Sequence, residues 1–178
     1  MTETDQKRCA MIGIIGAPNA GKSTLVNRMV GQKVTIVSPK VQTTRARVMG
    51  IFIEGGSQII LMDTPGIFKP QRRLDKAMVS AAWQGARDAD RVLLLIDIGK
   101  GRVNDDSRAI IEKLAQEQRK VGLVLNKIDL VEKEKLLSLT AELSASGVFD
   151  EVYMISALKG DGVDRLRHDL ATKARQGT

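Results

Sequence analysis

Two runs in this chain, VLLLI at residues 92–96 and VGLVL at residues 121–125, are apolar position after position. A strand with one wet face alternates polar and apolar residues. A run that does not alternate needs cover on both faces, as parallel strands have between two layers of helices. Four more short apolar runs complete a strand set at residues 9–15, 48–53, 58–62, 91–97, 121–126 and 151–155. Helical patterns lie near residues 21–30, 74–88, 105–119, 132–146 and 162–175. In the last, Val163, Leu166, Leu170 and Ala174 share one face. The exception to alternation is FIEGGSQII, where Gly55-Gly56 leaves no room for a helix and predicts an antiparallel hairpin. The chain therefore reads as a three-layer α/β/α domain. Its six-stranded, mostly parallel sheet has one antiparallel edge strand and about five helices.

Composition narrows the class. The 178 residues suit one domain with a sizeable core, and aromatics at 3% make that core aliphatic. The single cysteine, Cys9, rules out an internal disulfide and fits a reducing compartment. It opens the run CAMIGII and is expected to be a small buried hydrophobe, not a nucleophile. No run approaches the roughly 20 apolar residues of a membrane helix, and MTETDQKR lacks the apolar stretch of a signal peptide. These features point to a cytosolic protein of a bacterium or an organelle matrix. The net charge of +7 sits wholly in residues 1–89, which hold 13 Lys and Arg against 6 Asp and Glu. A polyphosphate ligand accounts for part of that excess, and a polyanion such as RNA for the rest.

Residues 16–23, GAPNAGKS, match G-x-x-x-x-G-K-[ST] between an apolar strand and a helical pattern. Gly16 and Gly21 let the backbone curl with its amides turned inwards to phosphates. The helix N-terminus adds partial positive charge. Lys22 supplies a cation to the β- and γ-phosphates, and the Ser23 hydroxyl suits Mg²⁺. Ala20 and Thr24 belong to the same nucleotide-binding stretch. The motif identifies a P-loop nucleoside triphosphatase without choosing the base.

The base is read further along. NKID, residues 126–129, closes a buried strand. Guanine shows two adjacent donors, N1–H and the 2-amino group, to which the Asp129 carboxylate is matched. Adenine has neither there, and an unpaired buried charge costs about 1–3 kcal/mol or more. Asn126 is placed to bridge to the phosphate loop, and the Lys127 stem to cover the base. SAL, Ser156–Ala157–Leu158, follows the last strand, with the Ala157 amide expected to meet the guanine O6. The order of these strings downstream of a phosphate loop argues for GTP over ATP.

DTPG, residues 63–66, follows another strand. Asp63 suits Mg²⁺ held through a water, and the Gly66 amide suits the γ-phosphate. Upstream, QTTRAR offers a threonine to close the Mg²⁺ shell, Thr44 ahead of Thr43. The long polar stretch 33–47 reads as a loop. Lys33, Lys40, Arg45, Arg47, Lys69, Arg72, Arg73 and Lys76 gather around these two segments. They form either a solvated basic surface or a nucleotide-gated face for a polyanion.

Taken together, GAPNAGKST, SPKVQTTRAR, DTPGIF with RRLDKAMV, NKIDL and SALKGDGV resemble the Era-like GTPases. These form a TrmE-Era-EngA-like branch of the translation-factor-related Ras-like P-loop enzymes. The resemblance covers roughly residues 8–170. It implies a Mg²⁺-dependent switch that hydrolyses GTP to GDP and phosphate. It implies a role in small (30S) ribosomal subunit assembly and 16S rRNA maturation, with rRNA held by a C-terminal KH-type domain. It also implies a monomeric, cytoplasmic bacterial protein with peripheral inner-membrane association. On this reading residues 1–7 are a tail and 8–175 the G domain. The chain stops at Gln176-Gly177-Thr178 with no KH-type GXXG segment after the last helix. A nucleotide-gated rRNA- or ribosome-binding module, with hydrolysis incidental, is the alternative reading.

Many GTPases place a glutamine after the DxxG glycine to hold the attacking water. Here that residue is Ile67, which has no hydrogen bond to offer. Phosphoryl transfer rests mainly on positioning and charge stabilisation, so a cation is a substitute. In some relatives of this type an asparagine matching Asn19 holds K⁺ beside the β–γ bridge, which puts Asn19 with Lys22, Thr44 and Gly66 in the expected catalytic set. The sole histidine, His168, lies far from every motif and is expected on the surface.

Overall fold

The computed structural model describes residues 8–17, 20–30, 47–63 and 89–175. Within them the strands are β1 (Arg8–Gly16), β2 (Arg47–Glu54), β3 (Ser57–Asp63), β4 (Arg91–Asp97), β5 (Val121–Asn126) and β6 (Phe149–Ile155). The helices are α1 (Lys22–Val30), α2 (Asp105–Gln116), α3 (Lys133–Ser144) and α4 (Val163–Arg175). The fifth expected helix, 74–88, lies outside the described residues.

All six strands form one sheet in the order β2-β3-β1-β4-β5-β6. Every neighbouring pair is parallel except β2 with β3. These two are joined by Gly55 and Gly56 at φ +59° and +83°. Two successive positive φ values are what a tight hairpin with right-twisted strands requires.

The runs that set the expectation are the central strands. β4 is buried at all five positions from Val92 to Ile96, and β5 at all six. On one face Ile12, Ile14, Leu93 and Leu95 pack with Leu25 and Met29 of α1 and with Leu166 and Leu170 of α4. On the other, Ile15, Leu94 and Ile96 pack with Ile110 and Leu114 of α2 and Leu139 and Leu143 of α3. Each such side chain taken fully out of water contributes about 1.5–3 kcal/mol. Gly50 lets α1 lie close to β2, since a Cβ there would fall 2.7 Å from Val30 Cγ2.

Helix boundaries follow local chemistry. Asn104 caps α2, its Oδ1 accepting the Ser107 amide at 2.8 Å, and Asp105 and Asp106 complement the helix dipole. The helix ends at Gln116 and not at 119 as expected, because Gln118 takes a left-handed φ of +52°.

At the amino end of the sheet, Arg91 reaches across β5 to Asp150. Its two terminal nitrogens donate to both carboxylate oxygens at 3.0 and 2.8 Å. Gly122 makes the path, since a Cβ there would stand 3.0 Å from the Arg91 Nη2. The hydrogen bonds from Arg91 hold Asp150 below the usual carboxylate range. Further along the same edge strand, β6, the Tyr153 hydroxyl stands between the carboxylates of Glu151 and Asp169, with Lys173 beside both. Burial first, then these carboxylates, push the Tyr153 phenol upwards.

His168 is on the surface, with its side chain 72% exposed. Cys9 is exposed, contrary to the expectation of burial. It lies at the start of β1, on the opposite face from buried Ala10. An apolar run does not reveal that its first member precedes the cover.

Candidate nucleotide-binding site

Parallel strands bring their carboxyl ends to one edge. Ile14 is level with Asp63, Asp97 with Asn126, and Asn126 with Ile155. Ligands of open α/β sheets bind along this edge.

The phosphate end begins where β1 stops at Gly16 and α1 starts at Lys22. A Cβ on Gly16 would lie 2.9 Å from the Leu95 carbonyl oxygen. Gly21 has φ +101°, and a Cβ there would lie 2.4 Å from Asn126 Nδ2. The first is glycine for space, the second for both space and backbone. Ser23 and Thr24 are exposed in the first turn of α1, which carries no acidic residue. The positive end of that helix is therefore left for an anion. Lys22 Nζ donates to Asp63 Oδ1 at 2.8 Å, with both side chains 20% exposed. Ser23 follows Lys22 in that turn, and Asp63 reaches it. Both are hard oxygen donors, a set that fits Mg²⁺ when phosphate oxygens and waters fill the remaining positions.

The base end is organised by Asn126, which is 2% exposed. Its Nδ2 donates to the Ala20 carbonyl at 3.1 Å. Its Oδ1 accepts the amides of Lys127 at 2.8 Å and Ala157 at 3.0 Å. One side chain thus joins the loops after β1, β5 and β6. The sequence directed the Ala157 amide at a base oxygen. Here its proton goes to Asn126, because a buried amide needs an acceptor.

Lys127 takes a left-handed φ of +70°, and its Nζ pairs with Asp97 Oδ2 at 2.7 Å. Asp97 Oδ1 also accepts the Gly99 amide at 2.8 Å. Asp129 sits in the short 3₁₀ turn Ile128–Leu130, its side chain 14% exposed and 3.7 Å from Lys159 Nζ. Buried Ser156 accepts the Lys159 amide at its Oγ, 3.2 Å away, and Leu158 is exposed. Between α1 and this last loop lies a cleft of about 360 Å³ lined by Thr24, Asn27, Arg28, Ala157 and Leu158.

Asn19, Thr44 with its alternative Thr43, Gly66 and Ile67 lie outside the described residues, as does most of the basic group around them. Three residues of the arrangement escaped the sequence reading: Arg28, Asp97 and Lys159. Only Asp97 left a signal, a carboxylate closing the apolar run Val92–Ile96 level with Asn126 on the neighbouring strand.

The sheet order, the loop between β1 and α1, and the paired loops after β5 and β6 define a P-loop GTPase domain. The family model described as 50S ribosome-binding GTPase matches residues 11–127, and the chain belongs to that family. It is 59% identical over 170 residues to GTPase Era of Bradyrhizobium sp. strain ORS 278, covering 96% of this chain and 55% of the relative. It also matches the crystal structure of Era in complex with MgGDPNP and nucleotides 1506–1542 of 16S ribosomal RNA. That match has a TM-score of 0.74 and 36% identity, over 94% of this chain and 57% of that one. A variant of Aquifex aeolicus Era bound to GDP·AlF4⁻ matches with a TM-score of 0.71 and 37% identity, over 93% and 56% of the two chains. The chain thus spans about half the length of the curated relatives it matches.

Proposed function

We propose that this chain binds GTP and GDP with Mg²⁺ and hydrolyses GTP to GDP and phosphate. It acts as a switch in small (30S) ribosomal subunit assembly and 16S rRNA maturation. The observation that carries the reading is the Asn126 junction, which ties the phosphate loop to both base loops within hydrogen-bond distance. Asp129 then offers its carboxylate to the guanine N1–H and 2-amino group, and Lys127 lays its stem along the base. Lys22 neutralises the terminal phosphates, with Ser23 and Asp63 on the Mg²⁺ side. Bound Mg²⁺ would supply further neutralisation of the phosphate charge.

Similarity to an Era structure containing MgGDPNP and a 16S rRNA fragment supports the nucleotide, the metal and the ribosomal setting. The finer reading adds K⁺ held by Asn19 and Thr44 closing the Mg²⁺ shell. It also adds a monomeric bacterial protein of the cytoplasm, peripheral to the inner membrane.

The test is competition of GTP against ATP and XTP for the wild type and for Asp129→Asn. The wild type is expected to prefer GTP by at least a hundredfold, and the variant to move towards XTP. ATP binding as tightly as GTP in the wild type would overturn the reading.

A further inference from the structure

Arg28 lies near the end of α1, the helix that Lys22 begins. Its Nε donates to the Ala157 carbonyl at 3.1 Å, across 129 residues of chain. Its Nη2 donates to the neighbouring Leu158 carbonyl. Its guanidinium also packs on Gly160, where a Cβ would stand 3.6 Å from Nη1. The Ala157 amide is already taken by Asn126 at 3.0 Å. The two peptide groups flanking Ala157 are therefore held by different elements, one by Asn126 of β5 and one by Arg28 of α1.

We infer that Arg28 is a positioning residue for the base: its forked contact sets the distance and angle between the Ser156–Leu158 loop and the phosphate-binding turn of the same helix. The inference rests on the guanine-nucleotide reading above. The internal shape of this loop does not need Arg28. The Ser156 amide donates to the Asp161 carbonyl at 2.9 Å, and the Gly160 amide to the Ser156 carbonyl at 2.7 Å. These bonds close the turn on itself. Arg28 fixes where that rigid turn sits relative to α1, and so how far the base loop stands from the phosphates. Arg28 is itself exposed and lines the 360 Å³ cleft between the two elements. Removing it frees the two carbonyls for water and opens no cavity in the core. A planar guanidinium spans two carbonyls at fixed geometry, and a lysine ammonium does not.

The experiment measures binding of Mg²⁺-GDP, Mg²⁺-ADP and Mg²⁺-tripolyphosphate to the 178-residue chain and to its Arg28→Ala and Arg28→Lys variants. Tripolyphosphate fills the phosphate turn and has no base. Both variants are expected to lose about tenfold in GDP affinity, the scale of losing charge-assisted hydrogen bonds. Tripolyphosphate binding should stay at its wild-type value. Unchanged GDP affinity would overturn the inference. So would an equal loss for GDP and tripolyphosphate, or full recovery of GDP binding in Arg28→Lys. A wild type that binds ADP as well as GDP would instead overturn the guanine reading on which the inference stands.

Discussion

Lys22 Nζ stands 2.8 Å from Asp63 Oδ1, joining the first residue of α1 to the last residue of β3. The lysine proposed for phosphate and the carboxylate proposed for the metal neutralise each other across the turn. On the proposed reading, a nucleotide arriving with Mg²⁺ would exchange this one pair for two, Lys22 with phosphate and Asp63 with the metal side. A nucleotide arriving alone must draw Lys22 away and leave Asp63 uncompensated beside the phosphates.

Asp63→Asn should therefore separate the two conditions. With Mg²⁺ the variant is expected to bind GDP roughly tenfold more weakly than wild type. In EDTA it should bind at least as tightly, because Lys22 is no longer neutralised. Titration of a fluorescent GDP analogue in both buffers checks this. An equal loss in EDTA would mean that Asp63 does not act through the metal.

Asn126→Ala should cost stability as well as affinity. It leaves the Ala20 carbonyl and the Ala157 amide without their partner in a buried place. Each orphaned group costs about 1–3 kcal/mol, so a loss of roughly 2–6 kcal/mol is expected in urea unfolding. A loss below about 0.5 kcal/mol would show that the three loops are held by other contacts.

GTP turnover should be faster in KCl than in NaCl at equal ionic strength, and Asn19→Ala should remove the difference. Steady-state phosphate release measures both. Equal, slow turnover in the two salts would mean that no monovalent cation substitutes for the glutamine that Ile67 replaces.

Acid should weaken the fold through Asp150. Arg91 lowers its folded pKa, so its stabilisation is fully present above the ordinary carboxylate value. It is lost as pH falls through the lower, folded one. Asp150→Asn should flatten the acid limb of a melting-temperature profile below about pH 4. Tyr153 has the opposite sign. Its raised pKa gives stabilisation that is complete below about pH 10 and declines above it. An unchanged alkaline limb in Tyr153→Phe would remove Tyr153 from that account.

Sequence revealed most where one residue type has one physical use. VLLLI and VGLVL became central strands because only cover on both faces accommodates them. Gly55-Gly56 became the hairpin because few residues accept two positive φ values in succession. It revealed less at edges, where one polar residue fits several environments. β6 starts at Phe149, two residues before its expected start, because Asp150 is stabilised there by Arg91, 59 residues away. Arg28 escaped for the same reason: on α1 it reads as one more exposed polar residue, and its partners lie at the far end of the chain. Cys9 misled because hydrophobicity reports a preference for burial, whereas position in the sheet decides it.

The fit of Gly21 against Asn126 links two sites separated by more than a hundred residues of chain. A methyl group on Gly21 would fall 2.4 Å from the Asn126 amide nitrogen. The displaced amide would release Ala157 together with Ala20. Anyone redesigning this domain to accept another base thus inherits a fixed boundary at the phosphate loop. A side chain at Gly21 and a change at Asn126 would have to be made as one move, in the same variant, whereas Asp129 lies outside that contact.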